Sequence, residues 1–351
     1  MKRIALVNQK GGCGKTTTAI NLASCLAQWG KRVLIVDLDP QGHVALGMGR
    51  RGEDLENTLY EVLLEKIPLS QAIVNLTENL DGLLSNVVLS AFEQCMAGVP
   101  DREKRLSRCL ESVTDQYDYL LIDSPPSVGL LTFNGLLAAE QVIVPVDPSY
   151  FSLHGLGKLL ETLQIVENRT HHTLAVRILP TNMDQRTNFC RQVLHMLHEH
   201  FPEKCLHTVI RACTKIREAG CLGQSIFAYD PACNACHDYK QLAREILNRE
   251  AAHGAISGER LSDETAKKTV VFTLQAPLDA DVKIAGDFNQ WTPESLDFHD
   301  FNGSSAWHKL IRLDPGSYEY KYLIDGRWVP DPENGTTVVN RMGSENSVLK
   351  V

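Results

Sequence analysis

Residues 4–18, IALVNQKGGCGKTTT, hold the side chains best suited to chemistry: two lysines, Lys10 and Lys15, around a glycine-rich turn that leads into a file of threonines. Gly11, Gly12 and Gly14 let the backbone curl so that several N–H groups face one point. A helix starting behind them adds its positive end, which makes the turn, Cys13 included, a seat for a phosphate. Lys15 supplies a point charge for β- and γ-phosphates, the Thr16 hydroxyl suits Mg²⁺, and Thr17 extends the seat into the helix.

Two further segments bring carboxylates toward that seat. VLIVDLDPQG, residues 33–42, is an apolar run ending in Asp37 and Asp39, and YLLIDSPPS, residues 119–127, ends in Asp123 before a Pro-Pro turn. Ligands gather at the C-terminal edge of a parallel sheet, so these strand ends should lie beside the phosphates. Asp123 reads as a Walker B carboxylate partnering Thr16 at Mg²⁺. Asn182 and Asp184, after the run ILPT, are candidates for contact with a nucleotide base.

The elements that position these residues alternate. Ile4–Val7 reads as a buried strand, and Ala19, Leu22, Ala23 and Leu26 recur at helical spacing up to Gly30, a helix stop. Strands over 141–148, AVRILPT and CLHTVI, with helices over 152–166 and 191–200, continue the β/α alternation of a mainly parallel sheet. The stretch 55–113 reads as mainly helical, interrupted by Pro68, a turn over 79–82 and Pro100. Tyr239, Leu242, Ala243, Ile246 and Leu247 mark one face of a last helix that packs on the sheet.

From 248 to 268 the chain is polar and rich in small residues, which reads as a linker. Beyond it come short alternating strands, VVFTL, DVKIAG, WHKLIRL, YEYKYLI and SVLKV, separated by Pro, Gly, Asp and Asn turns, the pattern of an all-β immunoglobulin-like sandwich. At 351 residues, 43% hydrophobic and 22% charged, the chain has room for two soluble domains, 1–247 and 269–351. No signal peptide or membrane span is expected, and cytoplasmic placement without a membrane partner follows. The net charge of −8 excludes a surface coated in basic groups for nucleic acid, though not a local patch.

KGGCGKTT, VDLDPQG, LLIDSPPS, VIVPVDPSYFSLHGL, MDQRT and the terminal YDP…DYKQLAREI resemble, in order, the ParA/Soj family of MinD-like ATPases, with their deviant Walker A motif. The resemblance covers residues 1 to about 247 and implies a P-loop ATPase with ATP and Mg²⁺ that forms a homodimer around two nucleotides, hydrolyses slowly and answers to an ATPase-stimulating protein. It implies that Lys15 holds phosphates in cis and that Lys10 reaches the nucleotide of the second copy. Thr16 and Asp123 serve Mg²⁺, and Asp39 positions the attacking water. Members commonly bind DNA nonspecifically. In this chain Arg211, Lys215 and Arg217 stand where relatives often run Pro-Arg-Asn-x-Arg, and either a phosphate-contacting patch or an ordinary solvated surface fits them.

Ten cysteines beside a nucleotide site read as free thiols in a reducing compartment. Cys233-Asn-Ala-Cys236-His237 spells a haem-attachment pattern and, with Cys213 and Cys221, a four-thiolate metal site, but both lack the context they need. Structural thiols are expected.

VKIAGDFNQW, GSYEYKYLIDGRWVPDP and GSENSVLKV resemble the glycogen-binding domain of the AMP-activated protein kinase β subunit, a carbohydrate-binding module, over residues 269–351. The resemblance implies that Trp291 and Trp328 stack on an α-glucan such as glycogen, that Lys321 and Asn346 hydrogen-bond it, and that Met342 and Ser344 lie on the binding loop. A sugar ring has an apolar C–H face and a rim of hydroxyls, so flat aromatics with a few polar groups suit it. Trp307, opening an alternating strand, reads as core. Three functions fit: an ATP-switched positioning or partitioning ATPase with a glucan address, a glucan-sensing regulator of glycogen metabolism, and a DNA-partitioning ATPase whose sandwich recruits a protein.

Overall fold

A computed structural model of the chain describes residues 1–256, 268–277, 279–301, 304–340 and 343–351. The chain forms two compact units, N-terminal and C-terminal, each taken by itself below.

The N-terminal unit is built on a seven-stranded sheet whose strands are, in chain order, β1 (Lys2–Leu6), β2 (Val33–Asp37), β3 (Ile73–Thr77), β4 (Leu80–Leu83), β5 (Tyr119–Asp123), β6 (Gln141–Val146) and β7 (Ala175–Pro180). Their spatial order is β3-β4-β2-β5-β1-β6-β7, all parallel except β3, which pairs antiparallel with β4 at one edge. Every residue of β2 and β5 is buried, as expected for central strands covered on both faces. The helix Lys15–Gln28 lays Ala19, Leu22, Ala23 and Leu26 into one core cluster with Tyr239, Leu242, Ala243 and Ile246 of the helix Asn234–Ile256. That helix runs to Ile256, well into the segment read as a linker. Tyr119 holds it by donating its hydroxyl to Glu250 at 2.6 Å, and residues 257–267 lie outside the described residues.

Two departures from the sequence reading have physical causes. The stretch read as mainly helical contains only short helices and supplies the β3–β4 hairpin, which turns at Asn79 in a left-handed conformation (φ 60). β4 is only four residues long and β3 only half-buried, too little for a clear alternating pattern. CLHTVI is not a continuous strand. It meets the sheet at isolated bridges Ile178–Cys205 and Met183–Arg211. Between these the Glu245 carboxylate takes the backbone N–H groups of His207 and Thr208 at 3.0 and 2.9 Å, which removes them from the ladder.

The C-terminal unit has β8 (Lys268–Leu274), β9 (Val282–Gly286), β10 (Glu294–Ser295), β11 (Asp297–Phe301), β12 (Ser304–Leu313), β13 (Ser317–Ile324), β14 (Arg327–Val329), β15 (Thr337–Val339) and β16 (Glu345–Lys350). A six-stranded sheet runs β10-β9-β13-β16-β15 with β14 on β13, and a three-stranded sheet runs β11-β12-β8. Alternation along β13 sends Tyr320 and Tyr322 into the core with Phe272, Leu274 and Ile284, so Glu319, Lys321 and Leu323 fall on the opposite face. The Tyr322 hydroxyl donates to the Thr273 carbonyl of the other sheet at 3.0 Å. Trp307 packs on Phe298, with ring centroids 4.9 Å apart, against this core.

Candidate functional site

The C-terminal ends of β1, β2 and β5 lie level, with Leu6 opposite Asp123 and Asp123 opposite Asp37. The loops leaving these ends therefore converge on one cavity of about 500 Å³, lined among others by Gly11, Gly12, Lys15, Thr16, Thr17 and Asp39. Gly12 and Gly14 take φ of 77° and 95°, a region that side chains disfavour. The helix starts at once, with Thr18 N–H donating to the Gly14 carbonyl at 2.9 Å. Cys13 is buried, and its carbonyl accepts from the Thr181 hydroxyl at 2.8 Å, which ties the turn to the end of β7.

Lys15 is 7% exposed, and its Nζ donates to the Lys10 carbonyl at 3.1 Å across the turn. The Thr16 hydroxyl donates to Asp123 Oδ2 at 2.6 Å, while Asp123 Oδ1 is buried with no hydrogen-bond partner. Burial pushes the Asp123 carboxyl up to about 7, against the opposing pull of the Thr16 hydrogen bond and the Lys15 charge. Burial and the adjacent Asp123 raise Asp37 well above the usual carboxylate range, although it accepts N–H groups from Asp39 at 2.9 Å and Val44 at 3.1 Å. Asp37 thus braces the Asp39 loop from beneath. Asp39 faces the cavity, and the Ser85 hydroxyl fixes its carbonyl at 2.6 Å.

Lys10 points elsewhere. Its ammonium donates to both Asp147 carboxylate oxygens, at 2.9 and 2.7 Å, and to the Ser149 hydroxyl at 2.6 Å. Asn182, at φ 53, is exposed and does not line the cavity, and the Asp184 carboxylate binds the Arg186 guanidinium.

The basic segment is partly neutralised. Arg211 makes a forked contact with the buried Asp238, and Lys215 pairs with Asp230, leaving Arg217 exposed. The cysteines are free thiols. Cys233 Sγ accepts the Cys236 N–H at 3.5 Å, and among the described residues no group of His, Cys, Asp or Glu is arranged to hold a metal ion.

On the C-terminal unit, Trp291 and Trp328 approach with ring centroids 6.4 Å apart and planes at 64°. Gln290 and Trp291 both take left-handed backbone, φ 55° and 59°, a conformation that costs roughly 1–2 kcal/mol per residue and is kept where something else requires it. The Trp291 indole N–H donates to Asp287 at 3.0 Å, fixing the ring, and Trp328 is 46% exposed. Lys321 lies nearby in the same sheet and donates to the Ser344 hydroxyl at 2.8 Å, while Asn346 donates to Glu319. Met342 lies outside the described residues.

Comparison with known proteins bears on both units. An AAA-domain family model matches residues 1–176. The sporulation initiation inhibitor protein Soj of Bacillus subtilis is 41% identical over 247 residues, 70% of this chain and 98% of Soj. The chain belongs to the ParA/Soj family. Its N-terminal unit is accordingly a P-loop ATP hydrolase. Within the same range of similarity, the cell division protein PomZ of Myxococcus xanthus is 38% identical over 73% of this chain and 81% of its own. The crystal structure of cobyrinic acid a,c-diamide synthase from Mycobacterium smegmatis with bound ADP and magnesium superposes with a TM-score of 0.64 at 32% identity, covering 72% of this chain and 97% of that one. The model for the glycogen recognition site of AMP-activated protein kinase matches residues 271–351, and the C-terminal unit is a module of that kind.

Sequence reasoning missed the residues that hold the family's motif in place. Asp147 and Ser149 occupy Lys10, Thr181 anchors Cys13 and Ser85 anchors Asp39. Asp147 stands at the end of an apolar strand, the same signal that marked Asp37 and Asp123.

Proposed function

We propose that the protein is an ATP-switched positioning or partitioning ATPase, with ATPase residues 1–247 joined through 248–268 to an α-glucan-binding module at 269–351. The observation that carries the switch is the pair of lysines. Lys15 alone serves the cavity, whereas Lys10 is held outside it on Asp147 and Ser149. A lysine kept one residue before the phosphate turn yet turned away from it suits a nucleotide brought by a second copy of the chain.

The residues present fit ATP with Mg²⁺. Asp123 Oδ1, buried without a partner beside the Thr16 hydroxyl, is an oxygen donor of the kind the ion requires. Bound there, Mg²⁺ would neutralise phosphate charge. Phosphoryl transfer needs mainly positioning and charge stabilisation. The N–H groups of Gly11 to Thr17 and the Lys15 ammonium bind the phosphates, and Asp39 accepts a hydrogen bond from the attacking water and orients it. On dimerisation Lys10 exchanges Asp147 for the transferring phosphate of the second copy.

The module supplies the address. Two indole faces at an angle, one fixed by Asp287 and the other exposed, suit a curved chain of glucose rings better than a flat ligand. The ion pairs of Arg211 and Lys215 give a DNA-tracking reading less support.

The switch is tested with Asp39→Ala and light scattering. The variant binds ATP and stays dimeric with Mg²⁺, while a variant that remains monomeric under those conditions contradicts the two-copy site.

A further inference from the structure

Lys321 and Asn346 belong to the sheet that also carries Trp328, yet they are only 5% and 3% exposed. Neither is a free arm in solvent. They belong to a continuous chain of hydrogen bonds in which Asn346 Nδ2 donates to Glu319 Oε2 at 2.8 Å and Asn340 Nδ2 donates to Asn346 Oδ1 at 2.9 Å. Asn340 Nδ2 also donates to Ser344 Oγ at 2.9 Å, which receives Lys321 Nζ at 2.8 Å. Glu319 and Lys321 come from β13, and Asn340, Ser344 and Asn346 from the loop before β16 and from β16 itself, about twenty residues further along the chain.

The sense of this chain is fixed at one end. A carboxylate only accepts, so Asn346 must turn its amide nitrogen toward Glu319 and its oxygen toward Asn340. Asn340 must then answer with its own nitrogen, which leaves its Oδ1 to accept the Ser344 backbone N–H, as it does at 3.1 Å. Ser344 Oγ, accepting from both Lys321 and Asn340, has both lone pairs in use, and its hydroxyl hydrogen is left to donate outward. The remaining N–H bonds of Lys321 and Asn346 are likewise donors. The result is a set of donors of one polarity, matched to the hydroxyl and ring oxygens of a sugar chain.

We propose that Asn340 is a positioning residue of the glucan face: its side-chain amide joins Ser344 and Lys321 to Asn346 and Glu319 and holds them as one donor-presenting array. The inference rests on the glucan-binding reading of the module. Backbone bonds from Asn340 N–H to the Ser344 carbonyl, 2.8 Å, and from Gly343 N–H to the Asn340 carbonyl, 3.0 Å, make the residue part of a turn as well. The test must therefore separate turn shape from donated hydrogen bonds.

Asn340→Asp does so. An aspartate keeps the acceptor for Ser344 N–H and the volume of the side chain, but it donates nothing to Ser344 or Asn346. Titration of the full chain with a linear malto-oligosaccharide, by calorimetry, is expected to show about tenfold weaker binding for Asn340→Asp, because Ser344, Lys321 and Asn346 are no longer held in one array, with a cooperative melting transition retained at a somewhat lower temperature. Wild-type affinity in Asn340→Asp assigns the residue to turn shape alone and overturns the inference while the glucan reading stands. Should Asn340→Asp lose its melting transition, Asn340→Ala is titrated in its place, and wild-type affinity there is equally decisive against it. Failure of the wild-type chain to bind the oligosaccharide removes the glucan reading and this inference together.

Discussion

At the head of the parallel sheet, the phosphate seat is made of backbone and of buried carboxylates, one of whose oxygens, Asp123 Oδ1, has no partner. On the face of the antiparallel sheet, the polar side chains already satisfy one another. Asp123 Oδ1 is buried with nothing to bond, and its neighbour Asp37 is forced toward its neutral form. Lys321, Ser344, Asn340, Asn346 and Glu319, by contrast, close a continuous network. The first arrangement stores a deficit that a cation and phosphates relieve, which suits a switch. The second is preorganised and loses little on binding, which suits a constant address. The two sites should therefore respond to different perturbations, and each can be disabled while the other works.

The largest separation is expected from Lys15→Ala. Removing the lysine that lines the cavity should weaken ATP binding by more than about 100-fold, the scale of an unpaired buried charge, with glycogen retention unchanged. Titration with a fluorescent ATP analogue checks the first and pelleting with glycogen the second. If glycogen retention fell together with ATP binding, the two sites would not be independent.

How much of this was legible depends on whether a site is continuous in sequence. Gly11 to Thr17 follow one another, so the seat was readable before any fold was known, and Asp37 and Asp123 announced themselves at the ends of apolar runs. Trp291 and Trp328 were found because VKIAGDFNQW and GSYEYKYLIDGRWVPDP carry the resemblance to the glycogen-binding domain. The contact of Lys10 with Asp147 joins residues 137 apart, and the network around Asn340 ties the 340–346 stretch to Glu319 and Lys321 of β13, so neither leaves a local pattern. β4 was hidden for another reason: four residues after a tight turn at Asn79 carry too little periodicity to be told from the short helices around them. The break in CLHTVI required knowing that Glu245, on the last helix, would compete for its N–H groups.

A comparable loss on the other side is expected from Trp291→Ala with Trp328→Ala. Each indole removed should weaken glucan retention by about tenfold or more, from lost apolar contact, while ATP turnover measured by phosphate release stays at the wild-type rate. A changed turnover rate in the absence of glucan would show that the module acts on the ATPase directly.

A smaller effect sharpens the account of the switch. Asp147→Asn keeps the shape of the contact but removes the charge that holds Lys10, and an ion pair of this exposure contributes about 1 kcal/mol. Sedimentation velocity with ATP and Mg²⁺ should show about fivefold more dimer relative to monomer at subsaturating protein. An unchanged ratio would mean that the cis contact does not compete with dimerisation.

A further prediction concerns the deficit itself. In the folded, metal-free protein burial pushes the Asp123 carboxyl up to about 7, against about 3.9 in an unfolded chain. Between these values the folded state binds the extra proton, so stability falls as pH rises from about 4 to 7, and the loss is complete above the folded value. Without nucleotide or metal, the melting temperature of the N-terminal unit should be about 4–8 °C higher near pH 5.5 than near pH 7.5. Asp123→Asn should reduce that slope, leaving the part contributed by Asp37, which burial also raises, and an unaltered slope in the variant would assign all of it to other groups.

The central claim is that one chain couples a nucleotide switch to a glucan address. Its most direct test is sedimentation with glycogen, with and without ATP and Mg²⁺, of the wild-type chain and of the double Trp291→Ala, Trp328→Ala variant. The wild-type chain should pellet with glycogen, and more completely with ATP, because a dimer presents two modules to the same particle. The double variant should stay in solution under both conditions. A wild-type chain that remains in the supernatant throughout would contradict the account.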